Sequence, residues 1–271
     1  MKKLYPSKNT IRKVVGIALL IYLLLGWIFY ANQEQFLFRP TLIAASAPLQ
    51  ISQAHQEISI AINHEDTIHI TRFTTKQPIQ GAILYFHGNR QNVEWYAKYS
   101  SLFTNNGYEV FMLDYPGYGK SRGELTEEKI YQWSDILYSI VRKSYTPSQL
   151  IIYGKSLGSG IAAQLAAKRD CRQLILETPY YDFPSVLSFY APIYPFQKLL
   201  HYQFPTHTFL EKVTAPVLVL HGTADGVVRY SNSIRLAKYF KNGDQLVTIE
   251  NGNHNNLFDF AVAKAAIQKI L

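Results

Sequence analysis

Six short, mostly uninterrupted apolar runs alternate with segments of helical spacing, and this pattern narrows the fold of the 271-residue chain more than anything else in it. The runs lie at 82–87 (AILYFH), 110–115 (VFMLDY), 150–155 (LIIYGK), 174–177 (LILE), 217–221 (VLVLH) and 245–250 (QLVTIE). Strands apolar on both faces are covered on both faces, which is the condition of a parallel sheet wrapped by helices. The helical segments between them fall at 92–106, 126–143, 158–169, 229–241 and 256–270. Upstream, 55–62 (HQEISIAI) and 67–75 (TIHITRFTT) alternate apolar and polar around a polar break, which predicts an antiparallel pair with one solvated face. A mostly parallel α/β sheet follows, with function expected at the carboxyl ends of its strands.

Residues 179–212 interrupt the alternation with ten aromatics and five prolines. So many prolines argue against one long helix. The segment reads either as ordinary core packing or as a small aromatic-rich, cap-like insertion folded over the strand ends. The second reading makes Tyr180, Tyr181 and Phe183 candidate substrate-binding residues.

The amino end is of another kind. Residues 14–30 (VVGIALLIYLLLGWIFY) carry no charge. At 1.5 Å per residue they reach about 26 Å, close to the roughly 30 Å hydrocarbon core once flanking residues are added. Trp27, Phe29 and Tyr30 lie at the far end, where aromatic rings favour the headgroup level. Lys2, Lys3, Lys8, Arg12 and Lys13 precede the run without an acid among them. The expectation is a basic cytoplasmic tail at 1–13, a single-pass membrane anchor at 14–31, and a domain at 32–271 on the non-cytoplasmic side. A cleaved signal peptide fits less well, because the nearest small-residue site, Ala45-Ser46-Ala47, comes too late. A buried core helix would show some polar face. Removing those five charges from the net +8 leaves +3 for the rest, so the basic balance is poor support for nucleic acid binding, and none is expected. One cysteine, Cys171, excludes an intramolecular disulfide framework and every multi-cysteine metal or redox site. No metal or other cofactor is expected, since no His, Cys and carboxylate cluster has ligand spacing.

Chemistry concentrates in three loops after strands. Gly154-Lys155-Ser156-Leu157-Gly158 fits G-x-S-x-G between an apolar strand and a small-residue helix. That context marks a nucleophile elbow, a tight turn that exposes a serine hydroxyl. Serine needs a base, and the base a carboxylate; in this arrangement they follow in the order Ser, acid, His. His254 lies just past the last strand, whereas His201 and His207 fall in the insertion and His221 ends a strand where a structural role is expected. Asp225 follows the strand 217–221 and emerges at the same sheet edge. Asp244 precedes its strand, Asp170 and Asp259 belong to helices, and Asp182 in the insertion is the serious rival. Backbone N–H groups of Asn89 and Leu157 would form the oxyanion hole. His87 is expected to brace its loop, Arg90 to be solvated, and Asp114 to accept a structural hydrogen bond. The loop 115–119 (YPGYG) lacks phosphate-binding spacing and is expected to shape the turn beside the elbow.

FHGN (86–89), LDYPGYGKSRGE (113–124), YGKSLGSGIAAQLA (153–166), APVLVLHGTADGVV (215–228) and GNHNNLFD (252–259) resemble the α/β-hydrolases of the abhydrolase-domain type. The nearest subgroup is the serine-aminopeptidase-like one with an N-terminal membrane anchor, and QEQFLFRPT (33–41) resembles the segment that follows its anchor. The resemblance implies an α/β-hydrolase fold and a Ser156, Asp225, His254 triad with the Asn89 and Leu157 amides. It also implies hydrolysis of carboxylic esters, thioesters, protein S-acyl groups among them, or lysolipids. The chain departs from it at Thr178-Pro179-Tyr180-Tyr181-Asp182, where relatives commonly carry Glu-Ser-Pro-Phe-Thr-Ser. The expected activity is a membrane-anchored serine hydrolase acting on an acyl ester or thioester. The alternatives are an aminopeptidase, with Asp182 or Glu177 meeting the substrate ammonium, and a non-catalytic binding protein on the same fold.

Overall fold

The expected strands assemble into one eight-stranded sheet in a computed structural model that describes residues 7–271. Lys2 and Lys3 of the expected basic tail lie outside the described residues. Helix α1 (Lys8–Leu37) is followed by strands β1 (His55–Ala61), β2 (Thr67–Phe73) and β3 (Gly81–Phe86). Short helices α2 (Val93–Tyr96) and α3 (Ser101–Thr104) lead to β4 (Tyr108–Asp114), α4 (Glu127–Val141), β5 (Leu150–Lys155), α5 (Leu157–Lys168) and β6 (Gln173–Glu177). The insertion forms α6 (Phe183–Tyr190), α7 (Phe196–Leu199) and α8 (Thr206–Leu210). The chain closes with β7 (Val217–Gly222), α9 (Ser231–Leu236), β8 (Gln245–Ile249) and α10 (Ala261–Gln268).

The strand order is β1-β2-β4-β3-β5-β6-β7-β8. Only β2 runs against the others, pairing antiparallel with both β1 and β4. Side chains alternate across a strand, and here both alternating sets are apolar. Leu84, Phe86, Ile152, Leu174, Leu176 and Val219 pack on one face under α4, α5 and the insertion. Ile83, Tyr85, Ile151, Tyr153, Ile175 and Leu220 pack on the other with α10 and the segment after β3. That double burial is why these strands read as continuous apolar runs.

Three sequence expectations change in detail. The antiparallel pair is not solvated along both members: the edge strand β1 keeps exposed residues, whereas β2 is buried on both faces, with His69 and Thr71 inside beside Ile68 and Ile70. The expected helix at 92–106 divides into α2, a 3-10 turn at Ala97–Tyr99, and α3. The Ser101 hydroxyl donates to the Lys98 carbonyl at 3.2 Å, a local bond that favours the tighter turn. Finally, α1 extends past the expected anchor at both ends and changes direction at Asn32, whose φ of −127° and ψ of 22° are non-helical. The Asn32 side chain takes up the Ile28 carbonyl freed there, at 2.9 Å.

Candidate active site

The elbow depends on two glycines. Ser156 sits at φ 51° and ψ −116°, a strained conformation between β5 and α5. A Cβ on Gly158 would lie 2.0 Å from the Phe86 carbonyl oxygen, and one on Gly154 would lie 2.3 Å from the Gly158 carbonyl oxygen. Neither contact is permitted, so only glycine lets the helix start pass this close to the sheet. The serine is thereby held up at the carboxyl edge of the central strand.

The two loops after β7 and β8 bring the other groups to it. His254 Nε2 is 3.0 Å from Ser156 Oγ, and His254 Nδ1 is 2.7 Å from Asp225 Oδ2. An ionised carboxylate only accepts, so Nδ1 carries the proton and Nε2 is left to accept from the serine hydroxyl. Asp225 Oδ1 accepts the backbone N–H groups of Val227 and Val228 at 2.8 and 2.9 Å. Burial pushes the Asp225 pKa up, but hydrogen bonds from His221, His254 and Val227 outweigh it and hold the carboxyl well below the usual carboxylate range. Asp182 is elsewhere: its Oδ1 caps α6 by accepting the Ser185 N–H at 2.7 Å. Asp244 lies at the opposite strand end, accepting the Val217 N–H at 2.9 Å.

Leu157 is the first residue of α5, where an N–H has no intrahelical acceptor and the helix dipole is positive. The loop after β3 lies alongside, since a Cβ on Gly88 would be 3.7 Å from that of Ser156. Among the described residues no hydrogen bond uses the Asn89 backbone N–H. The Asn89 side chain donates to the Leu37 carbonyl at the end of α1. Tyr118 Oη donates to the Asn89 carbonyl at 2.9 Å, and Tyr115 Oη to the His87 carbonyl at 2.7 Å. The loop 115–119 thus holds the 87–89 loop, and the buried His87 lies among the rings of Tyr96 and Tyr115. Asp114 accepts the Val93 N–H at 3.0 Å.

A cavity of about 510 Å³ opens over Ser156 and His254. Tyr180 and Phe183 line it, joined by Val186 and Leu187 of α6. Tyr181 does not. Successive residues of the extended segment before α6 point opposite ways: Tyr180 turns inward and donates to the Leu157 carbonyl at 3.0 Å, whereas Tyr181 turns out and stacks on His207 with centroids 4.0 Å apart. Arg90 is exposed at the cavity edge.

Sequence reasoning missed the parts played by Phe36, Leu37 and Lys155 and the contact of His221 with Asp225. Phe36 and Leu37 at the end of α1 form a wall of the cavity; the segment 33–41 is the only signal that could have pointed to them. His221 is buried and structural, its Nδ1 meeting Ser233 Oγ at 2.6 Å and its Nε2 the Val228 carbonyl at 2.8 Å, and that Nε2 also lies 3.3 Å from Asp225 Oδ2. Lys155, the variable letter of the elbow, is buried, paired with Glu177, and donates to the His254 carbonyl at 3.1 Å. It ties the histidine loop to the elbow from beneath.

The sheet order, the single reversed strand and the serine on its elbow are those of the α/β-hydrolase fold. Residues 77–209 match the family described as serine aminopeptidase, S33, a span that ends before Asp225 and His254. Alpha/beta hydrolase domain-containing protein 17C of Xenopus tropicalis is 28% identical over 183 residues, which are 65% of this chain and 56% of that protein. The 17B protein of Homo sapiens is 29% identical over 183 residues, 65% of this chain and 60% of its own length. The chain therefore aligns with little more than half of these relatives. Among solved structures, the Pyrococcus furiosus esterase Pf2001 superposes with a TM-score of 0.65 over 86% of this chain and 98% of its own, at 14% identity. A soluble variant of monoglyceride lipase from Saccharomyces cerevisiae gives 0.62 over 83% and 97%, at 15% identity.

Proposed function

We propose that this chain is a membrane-anchored serine hydrolase that cleaves carboxylic ester or thioester bonds of acyl, lipid-like substrates. The observation that carries the reading is the continuous relay from Asp225 through His254 to Ser156, at 2.7 and 3.0 Å. In the first step His254 Nε2 takes the proton of Ser156 as Oγ attacks the acyl carbonyl. The Leu157 and Asn89 N–H groups face the oxygen on which negative charge develops; one such donor is typically worth about 2.7–4 kcal/mol of barrier. Asp225 fixes the imidazole tautomer and stabilises its cation. His254 then passes the proton to the leaving oxygen or sulfur, and water, activated by the same imidazole, releases the acyl group.

The lining of the cavity favours an apolar acyl chain. Phe36, Leu37, Phe183, Val186 and Leu187 supply an apolar wall, and among the described residues no Asp or Glu lines the cavity. This weighs against an aminopeptidase, which needs a carboxylate for the substrate ammonium. Asp182 is spent on a helix cap, and Glu177 is buried against Lys155 and Tyr153. The esterase and lipase likeness of the fold points the same way.

In this reading 1–13 is a cytoplasmic tail, 14–31 the anchor and 32–271 the hydrolase domain on the other side, with 179–212 its cap. α1 is the one helix among the described residues long and apolar enough to cross a membrane. Labelling with a fluorophosphonate, followed by a screen of acyl esters from short to long, acyl thioesters and aminoacyl nitroanilides, tests the proposal. Labelling at Ser156 with turnover of long acyl esters or thioesters is expected. Absence of labelling would favour a binding protein on this fold, and preference for the nitroanilides a peptidase.

A further inference from the structure

The apolar run of α1 does not stand free of the domain. Tyr22, in the middle of the run, stacks on Tyr194 of the insertion with ring centroids 4.6 Å apart. Its hydroxyl donates to the Ile193 carbonyl at 3.0 Å, and the Tyr194 hydroxyl donates to the Tyr22 carbonyl at 3.1 Å. Gly26 allows this approach, since a Cβ there would be 3.0 Å from Tyr194 Cε1. Further along, Phe29 meets Phe196 edge-on at 5.4 Å. Only the part of α1 before Tyr22 therefore projects beyond the insertion. Of that part 14–21 is uncharged, about 12 Å of helix against a hydrocarbon core of roughly 30 Å. A helix packed in this way can enter a bilayer fully only by taking the turn between α6 and α7 in with it.

The turn is suited to lipid. From 183 to 197 (FPSVLSFYAPIYPFQ) there is no charged residue. Ile193 is 69% exposed, and Phe189 and Tyr190 are exposed beside it. Lipid demands that backbone polar groups be satisfied internally. Here Pro192 and Pro195 have no N–H, those of Ala191, Tyr194 and Phe196 donate to carbonyls of the same segment, and the Ile193 carbonyl is taken by Tyr22, so that within 191–196 the Ile193 N–H alone has no partner among the described residues. Cations flank the segment: Arg229 lies over the Phe189 ring at 3.6 Å, and exposed Lys198 follows. They belong at the headgroup level in this arrangement.

We propose that 183–197, with Ile193 at its tip, is a second membrane-inserting element, seated beside α1 below the headgroups of the leaflet nearest the domain. Its partner is the bilayer. Val186 and Leu187 of the same segment line the cavity, whose rim carries exposed Phe36 and Val227, so the mouth lies at the lipid surface. The inference rests on reading α1 as a membrane helix and not on the triad.

The test uses the full chain in phosphatidylcholine vesicles containing lipids spin-labelled on the acyl chain. In a Cys171→Ser background, Ile193→Cys, Leu19→Cys and Glu65→Cys are each coupled to an environment-sensitive fluorophore. Blue-shifted, quenched emission is expected at 193 and 19, and neither change at 65. Quenching at 19 with water-like emission at 193 overturns the proposal, because the domain then rides above the lipid. Loss of quenching at both positions overturns it as well, because the helix is then out of the bilayer. Fluorophosphonate labelling of the same samples separates this question from the hydrolase reading, since labelled Ser156 with a wet residue 193 sinks only the inserted tip. Ile193→Glu, which touches neither the triad nor the cavity, is expected to lower turnover of a long-chain ester presented in vesicles roughly tenfold by placing a charge in lipid. It should leave a soluble short-chain ester within about twofold. Equal loss on both substrates, or none on either, overturns the link between the tip and substrate delivery.

Discussion

Asp225 is the most constrained side chain of the candidate site, with both carboxylate oxygens engaged by donors from three directions. In Asp225→Asn the amide oxygen is kept by the Val227 and Val228 N–H groups, so the NH2 faces Nδ1 and donates to it, and kcat is expected to fall by about 10⁴, as for other triads that lose their tautomer. Asp182→Asn, at a helix cap, should leave kcat nearly unchanged; the reverse pattern would reassign the acid. The same carboxylate contributes to stability with a definite sign. Its folded pKa is depressed, so the contribution is complete above the unfolded value of about 3.9 and is lost as pH falls through the folded one. Urea midpoints measured from pH 5 downward should therefore drop more steeply for the wild type than for Asp225→Asn. Ser156→Ala should abolish turnover while moving the thermal midpoint by no more than a few degrees. The hydroxyl lines a cavity, and its removal leaves no buried partner unsatisfied other than His254 Nε2, which solvent in the cavity can reach. Residual activity above about a hundredth of wild type would contradict the nucleophile assignment.

Between elements, the first turn of α4 holds the insertion in place. Glu127 Oε2 accepts the Gln203 N–H at 2.6 Å, and its Oε1 accepts the Phe204 N–H at 3.1 Å and the Tyr131 hydroxyl at 2.8 Å. Burial raises its pKa, and these hydrogen bonds oppose the rise. Glu127→Ala leaves two backbone donors without a partner and is expected to cost about 2–4 kcal/mol in chemical denaturation. Limited proteolysis should then cut within 190–205 first. At this scale much was legible in advance. The strands were readable because burial on both faces leaves no polar phase, and the elbow because two glycines bracket a serine between a strand and a helix. His254 and Asp225 followed from lying just after strands. What could not be read was direction. Nothing in the order Tyr180-Tyr181 says which ring turns toward the cavity, because that depends on the twist of an extended segment against α5 and α8. The division of 92–106 was equally hidden, since its hydrophobic spacing suits one helix. The contribution of Phe36 and Leu37 was masked by their closeness to the long apolar run.

Taken whole, the molecule joins the insertion to the candidate site through α1. The helix packs on the insertion at Tyr22, Gly26 and Phe29. Gln33 then accepts the His201 N–H at 2.8 Å, and the helix ends with Leu37 against Asn89. Removal of residues 1–31 stops at the change of direction at Asn32 and should leave a chain that still turns over short soluble esters. Removal of residues 1–37 takes the cavity wall and the Leu37 carbonyl as well, and kcat on the same esters should fall at least tenfold, the order of one weakened oxyanion donor. The two truncations, compared for kcat and for folded content by circular dichroism, check this. One hydrogen bond, from the Asn89 side chain to the Leu37 carbonyl, thus couples the last turn of α1, past its bend at Asn32, to the loop that would stabilise the transition state. In the proposed anchoring, a tilt of the part of α1 in lipid reaches that loop across this bend. Bilayers of different thickness, which change the tilt of such a helix, should therefore alter kcat more than KM, making the surrounding membrane a mechanical setting for the chemistry.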